Sequence, residues 1–224
     1  MRPPPAIFVL LVAAGCAALV VLQLIGLAIP AAIAKLVASC SFIGVALASG
    51  ATRSLYGRAI LAGLAFSWFG DMFLVGQSQV FFYAGLVAFL LGHIAYIAAF
   101  AAHGVDGRWL FAAALPVAVA ATLVTIWLTP HTAPQLLVPV RTYTVVISVM
   151  VVMSFGARGA GGPWIMVAGA VLFYLSDLSV AALRLVETAW PTYALGLPFY
   201  YGGQVLLALS TRSQSESQLG SPEK

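Results

Sequence analysis

Eight apolar runs, each about the length needed to cross a hydrocarbon core, leave this chain almost no choice of fold. They cover residues 6–27, 31–48, 59–76, 80–102, 108–128, 136–155, 163–184 and 192–210, with glycine, proline and single charges between them. A span takes roughly 20 apolar residues at about 1.5 Å of rise each, so 224 residues hold eight helices with short loops. Charged residues make up 7% of the sequence, against about 25% in an ordinary soluble domain. That is too little polar material to cover a water-soluble globule. The expected architecture is an all-α integral membrane protein: a single eight-helix transmembrane domain over 1–210, then a polar, disordered cytoplasmic tail over 211–224.

The net charge of +4 does not point to nucleic acid, because the ten Lys and Arg residues are scattered singly and form no basic cluster. They read instead as topology signals. Cytoplasmic loops are enriched in Lys and Arg; the side holding both termini carries Arg2, Arg53, Arg58, Arg108, Arg158, Arg212 and Lys224, and the opposite side only Arg184. Both termini are therefore expected in the cytoplasm, in the inner membrane of a bacterium. The first run, Ala6 to Leu24, exceeds the usual apolar core of a cleaved signal peptide and is read as a span. Cys16 and Cys40 lie in apolar runs without metal-ligand spacing and are expected to be buried free thiols. Trp109, Trp164 and Trp190 fall at run ends, as in interfacial aromatic belts.

Ionisable side chains at mid-bilayer cost at least about 2.5–3.5 kcal/mol each and are functional candidates by default. Here they are Lys35, Asp71, His93, Arg141 and Asp177, with Arg184 and Glu187 just past the seventh run. Helices 3 and 7 run outward, with Asp71 and Asp177 about two thirds along; helices 2 and 6 run inward, with Lys35 and Arg141 near their starts. All four fall at one depth in the non-cytoplasmic half, which implies one polar cavity holding two acids and two bases. Lys35 to Asp71 is 36 residues, and so is Arg141 to Asp177. At the shift that carries Lys35 to Arg141 and Asp71 to Asp177, AGLAFSWFGD, ending at Asp71, lies over AGAVLFYLSD, ending at Asp177, and FFYAG at 81–85 resembles FYYGG at 199–203 once a longer loop before helix 8 is allowed. This suggests a duplication of four helices plus four in parallel.

A plainer reading makes the four charges structural ion pairs that set helix register. His93, next to Gly92 and one turn before Tyr96, reads as a hydrogen-bonded core residue before it reads as a ligand. His103 and His131 lie at opposite loop ends, so no three-histidine zinc site is available. Tyr143, Tyr174, Tyr200, Tyr201 and Gln204 can supply hydrogen bonds or pack with a polar tip. The same charges also suit a small-molecule or proton-coupled transporter, although the chain lacks the paired Gly/Pro interruptions of broken-helix transporters.

The stretches FSWFGDMFLV at 66–75, FFYAGLVAFLLGHIAYIAAF at 81–100, LFYLSDLSVAAL at 172–183 and PFYYGGQVLLALS at 198–210 resemble the YhhN-like membrane proteins, a family that includes lysoplasmalogenases. Lys35 matches a lysine near the start of that family's second helix, with Leu36 where proline often follows. The resemblance implies an enzyme without a metal or other cofactor that uses water to cleave the vinyl ether of a lysophospholipid drawn from the bilayer. That chemistry asks for one protonated acid and one ionised carboxylate beside it, and Asp71 and Asp177 are the expected pair, with the two roles unassigned. Lys35, His93, Tyr96, Arg141, Tyr143, Tyr174, Tyr200, Tyr201 and Gln204 are the expected substrate-binding set.

Overall fold

The computed structural model describes residues 4–76, 78–186 and 188–219, with side chains to 212. Among these residues eight α-helices follow in chain order: α1 (Pro5–Leu24), α2 (Ala28–Ala48), α3 (Leu55–Phe73), α4 (Gln79–His103), α5 (Gly107–Leu128), α6 (Pro134–Gly159), α7 (Trp164–Ala181) and α8 (Tyr193–Leu219). Short 3-10 turns precede α3 and α6, and a π-helical turn, Ala182–Val186, extends α7. No strand occurs among the described residues. Six of the helices, all but α3 and α8, are long and apolar enough to cross a membrane, which makes this an integral membrane protein. α3 and α8 are of comparable length but carry more of the polar residues described below.

The helix starts follow local chemistry. Proline occupies the first turn of α1 and α6, where its missing N–H has no partner to lose. Ser54 caps α3 by accepting from Gly57 N at 3.0 Å, and Asp106 caps α5 by accepting from the Arg108 and Trp109 amides. The Ser54 cap starts α3 four residues before the expected 59, since Arg58 is tolerated in a first turn near the bundle end. At the other extreme, α8 runs to Leu219, through much of the segment expected to be a disordered tail; residues 220–224 and Glu187 lie outside the described residues.

Sequence neighbours pair as antiparallel hairpins, α1 with α2, α3 with α4, α5 with α6 and α7 with α8. Across hairpins α2 packs on α3 and α8, and α6 on α7 and α4. Two seams are closed by glycine. A Cβ on Gly169 of α7 would lie 3.0 Å from the Gly203 carbonyl of α8, and one on Gly63 of α3 would overlap the Tyr96 ring of α4; only a bare Cα lets these backbones approach so closely. α5 differs from its fellows: it packs chiefly on α6 and turns Phe111, Leu115, Val119, Leu123 and Ile126 outward.

The bundle's outside is as apolar as its inside, so burial is hard to read from residue type. Cys16 is buried as expected, but Cys40 is exposed, contrary to expectation, and its sulfur accepts from Trp68 Nε1 at 3.3 Å. Arg158 stacks over Trp164 and Trp109, 4.9 and 5.8 Å from their ring centroids, at the end holding the chain termini.

Candidate functional site

The inward face of α2 carries Lys35 and, one turn on, Ser39; both point at Asp71 on α3. The Lys35 ammonium donates to Asp71 Oδ1 at 3.1 Å, and Ser39 and Tyr200 hydroxyls donate to Oδ2 at 2.7 and 2.8 Å. Tyr201 reaches the same group from α8, its hydroxyl 3.1 Å from Ser39 Oγ. Asp71 is 2% exposed. Three donors, one of them cationic, thus converge on this carboxylate, and a charge-assisted bond is the strongest of them. Gly70 makes room for this arrangement: a Cβ there would strike the Phe89 ring of α4 at 2.6 Å.

The second acid has a different environment. Tyr143 of α6 donates to Asp177 Oδ2 at 2.7 Å, and His93 Nε2 lies 3.0 Å from that oxygen and 3.0 Å from the Tyr143 hydroxyl. His93 is fully buried, and its Nδ1 has no hydrogen-bond partner among the described residues. Asp177 keeps 18% of its side chain exposed. The Phe173 ring bridges the two clusters, with centroids 4.6 Å from His93 and 5.4 Å from Tyr200.

Both acids line one cavity of about 150 Å3 at the bundle end opposite the chain termini. Lys35, Tyr143, Tyr174, Tyr200 and Arg184 share its wall, and the rest is mostly apolar, contributed largely by Leu74, Phe82, Leu86, Val124, Leu128 and Ile147. The expected convergence of Lys35 with the two acids is thus present.

Arg141 departs from the expectation. It is exposed, does not line the cavity, and borders only a small cleft between α5 and α6. Tyr143 faces Asp177, and at 100° per residue a position two earlier points roughly 200° away. The expected Arg141–Asp177 pairing is therefore replaced by His93 and Tyr143. His93, Tyr96, Tyr201 and Gln204, expected to touch substrate, stand behind the cavity wall in helix seams; Tyr96 donates to Gln204 Oε1 at 2.7 Å. Sequence reasoning missed Ser39, although its spacing of four from Lys35 put both on one face. It also missed the π-turn and the Phe173 ring between the two clusters, for which apolar residue types give no signal.

The chain matches the family model of the YhhN family over residues 30–211. Among curated proteins, it is 30% identical over 163 residues to lysoplasmalogenase TMEM86A of Bos taurus, and 31% identical over 163 residues to lysoplasmalogenase TMEM86A of Homo sapiens. Each match covers 70% of this chain and 66% of the relative, just under two thirds of its length. No solved structure matches the chain.

Proposed function

The chain belongs to the YhhN family, and from that premise we propose that it is a membrane-embedded hydrolase cleaving the vinyl-ether bond of lysoplasmalogens to a fatty aldehyde and a glycerophospho head group. The observation that carries the reading is the pair of unlike carboxyl groups on one largely apolar cavity. Vinyl-ether hydrolysis needs a proton donor, a site that tolerates a cation, and one water. Two carboxyl groups in different environments can divide such work, as they do in glycoside hydrolysis through a similar cation.

The roles follow from the partners. Asp71, already engaged by Lys35, Ser39 and Tyr200, has no need of a proton and serves as the fixed negative charge facing the cation. Asp177, with His93 and Tyr143 as partners, is the proton donor. In the reaction the Asp177 proton passes to the vinyl carbon beta to the ether oxygen, and the alpha carbon becomes an oxocarbenium ion. Water adds to that carbon and returns a proton to Asp177, which His93 Nε2 and the Tyr143 hydroxyl hold in place from behind. The resulting hemiacetal then collapses: its hydroxyl proton moves to the departing glycerol oxygen, the C–O bond breaks, and the aldehyde forms. One water is consumed, and both carboxyl groups end as they began.

The alkenyl chain fits the apolar wall and enters sideways past α5, which packs chiefly on α6 and so leaves its flank toward α4 thinly covered. The wider reading includes eight spans, both termini in the cytoplasm of a bacterial cell, and descent from a four-helix unit. The last is supported by corresponding pairings, α2 with α3 beside α6 with α7, and α2 with α8 beside α6 with α4.

The test is product labelling. Purified protein acting on a lysoplasmalogen in heavy water, with the aldehyde reduced at once to the alcohol, should yield one deuterium at carbon 2. A 1-O-alkyl lysolipid should not be cleaved. Cleavage of the alkyl ether, or an aldehyde without deuterium at that carbon, would overturn the mechanism.

A further inference from the structure

Among the described residues two cations line the cavity, Lys35 and Arg184. Lys35 is committed to Asp71, whereas Arg184 has no carboxylate partner among the described residues. It sits on the π-turn Ala182–Val186 after α7, and widened turns of this kind occur frequently at functional sites. Its guanidinium carbon lies 5.9 Å from the centroid of the Phe82 ring on α4, another cavity residue. Packed on an aromatic ring, a guanidinium keeps its N–H edge free for bidentate contact with an oxyanion. The geometry points to Arg184 as the anion subsite of this cavity, receiving the phosphodiester of a lysolipid whose alkenyl end reaches Asp177.

The dimensions agree. Arg184 follows Asp177 by seven residues, or roughly 10 Å of helical rise, in the π-turn that continues α7. In a lysoplasmalogen, seven bonds separate the vinyl carbon that takes the proton from the phosphorus. An extended chain covers about 3.3–3.6 Å per three bonds, which gives about 8 Å. A guanidinium–phosphate contact makes up the remainder. The exposed placement of Arg184 leaves the rest of the head group in water, so the subsite selects the phosphodiester rather than the choline or ethanolamine beyond it. This inference rests on the proposed hydrolase reading for its ligand, but not for its test.

The experiment uses the full chain in non-ionic detergent and ligands that cannot be cleaved: a 1-O-alkyl lysophosphatidylcholine, the 1-O-alkylglycerol of equal chain length, and inorganic phosphate. Wild type should bind the lysophospholipid about tenfold or more tightly than the alkylglycerol, as for one charged hydrogen-bonding contact. Arg184→Gln should erase that difference without changing alkylglycerol affinity, and Arg184→Lys should keep part of it, since the charge remains and the fork is lost. Rising ionic strength should weaken only lysophospholipid binding to wild type, which tests the charge without any variant. Phosphate competing with the lysophospholipid, and not with the alkylglycerol, supports the subsite. Equal loss for both lipids in Arg184→Gln, or no preference for the lysophospholipid in wild type while inorganic phosphate still binds, overturns it. Because no probe is cleaved, these affinities stand whether or not hydrolysis is observed.

Discussion

Asp71→Asn and Asp177→Asn make the same atomic change on two walls of one cavity, and the structure predicts opposite balances of stability and rate. Asp71→Asn leaves the Lys35 ammonium, 11% exposed, without its carboxylate; removing one partner of a buried pair costs about 3–5 kcal/mol. Adding Lys35→Met should recover most of that loss, because neither charge then remains. Asp177 faces a neutral tyrosine and a histidine with no Lys or Arg contact among the described residues. Asp177→Asn retains an acceptor oxygen and should cost only about 1–3 kcal/mol. Its rate should fall at least ~10²-fold, the lower end for general acid–base catalysis and about 2.7 kcal/mol in barrier. The assay is thermal unfolding in detergent alongside lysoplasmalogen hydrolysis on the same preparations. The expected order of stability is wild type, Asp177→Asn, then Asp71→Asn, with the Lys35→Met, Asp71→Asn double variant moving back up. The double variant should remain slow, since the negative charge facing the cation is gone. If Lys35→Met fails to rescue, the ion pair is not what Asp71 contributes to stability. If Asp177→Asn keeps more than about a tenth of wild-type turnover, Asp177 is not the proton donor.

Tyr143→Phe removes the 2.7 Å hydrogen bond to Asp177 and should slow hydrolysis about tenfold, the upper value of one neutral hydrogen bond; an unchanged rate would mean the hydroxyl does not orient the acid. Gly169→Val places side-chain atoms against Leu207 and the Gly203 carbonyl and should destabilise by about 1–3 kcal/mol, read as a lower unfolding midpoint in detergent. A midpoint equal to wild type would show that α7 and α8 do not approach as described. A reporter fused after Arg212 should be active only on the cytoplasmic side; activity outside the cell would overturn the charge-bias topology.

The sequence alone determined how this chain meets the membrane and which side chains are too costly to be accidental. Apolar run length is a direct measure of span length, and an intramembrane Asp or Lys persists only with a partner or a purpose. The Lys35–Asp71 pair was legible too, because position along a helix fixes depth and both residues sit at one depth. The equal spacing of Arg141 and Asp177 carried the same depth signal and pointed to the wrong partner. Depth is a one-dimensional quantity; which way a side chain faces around the helix axis is not contained in it. In a soluble helix the apolar stripe supplies that angle, but helices that are apolar all round in a bilayer leave it unspecified. Packing decided it here: Tyr143 faces inward, so Arg141 two residues earlier faces out, and His93 of α4 takes the place beside Asp177. The same holds for Arg184, whose position on the cavity wall depends on a π-turn that no residue type announces. Chain composition thus fixed the solvent and the depth of each charge, while helix rotation, set by contacts between helices, decided which charges meet.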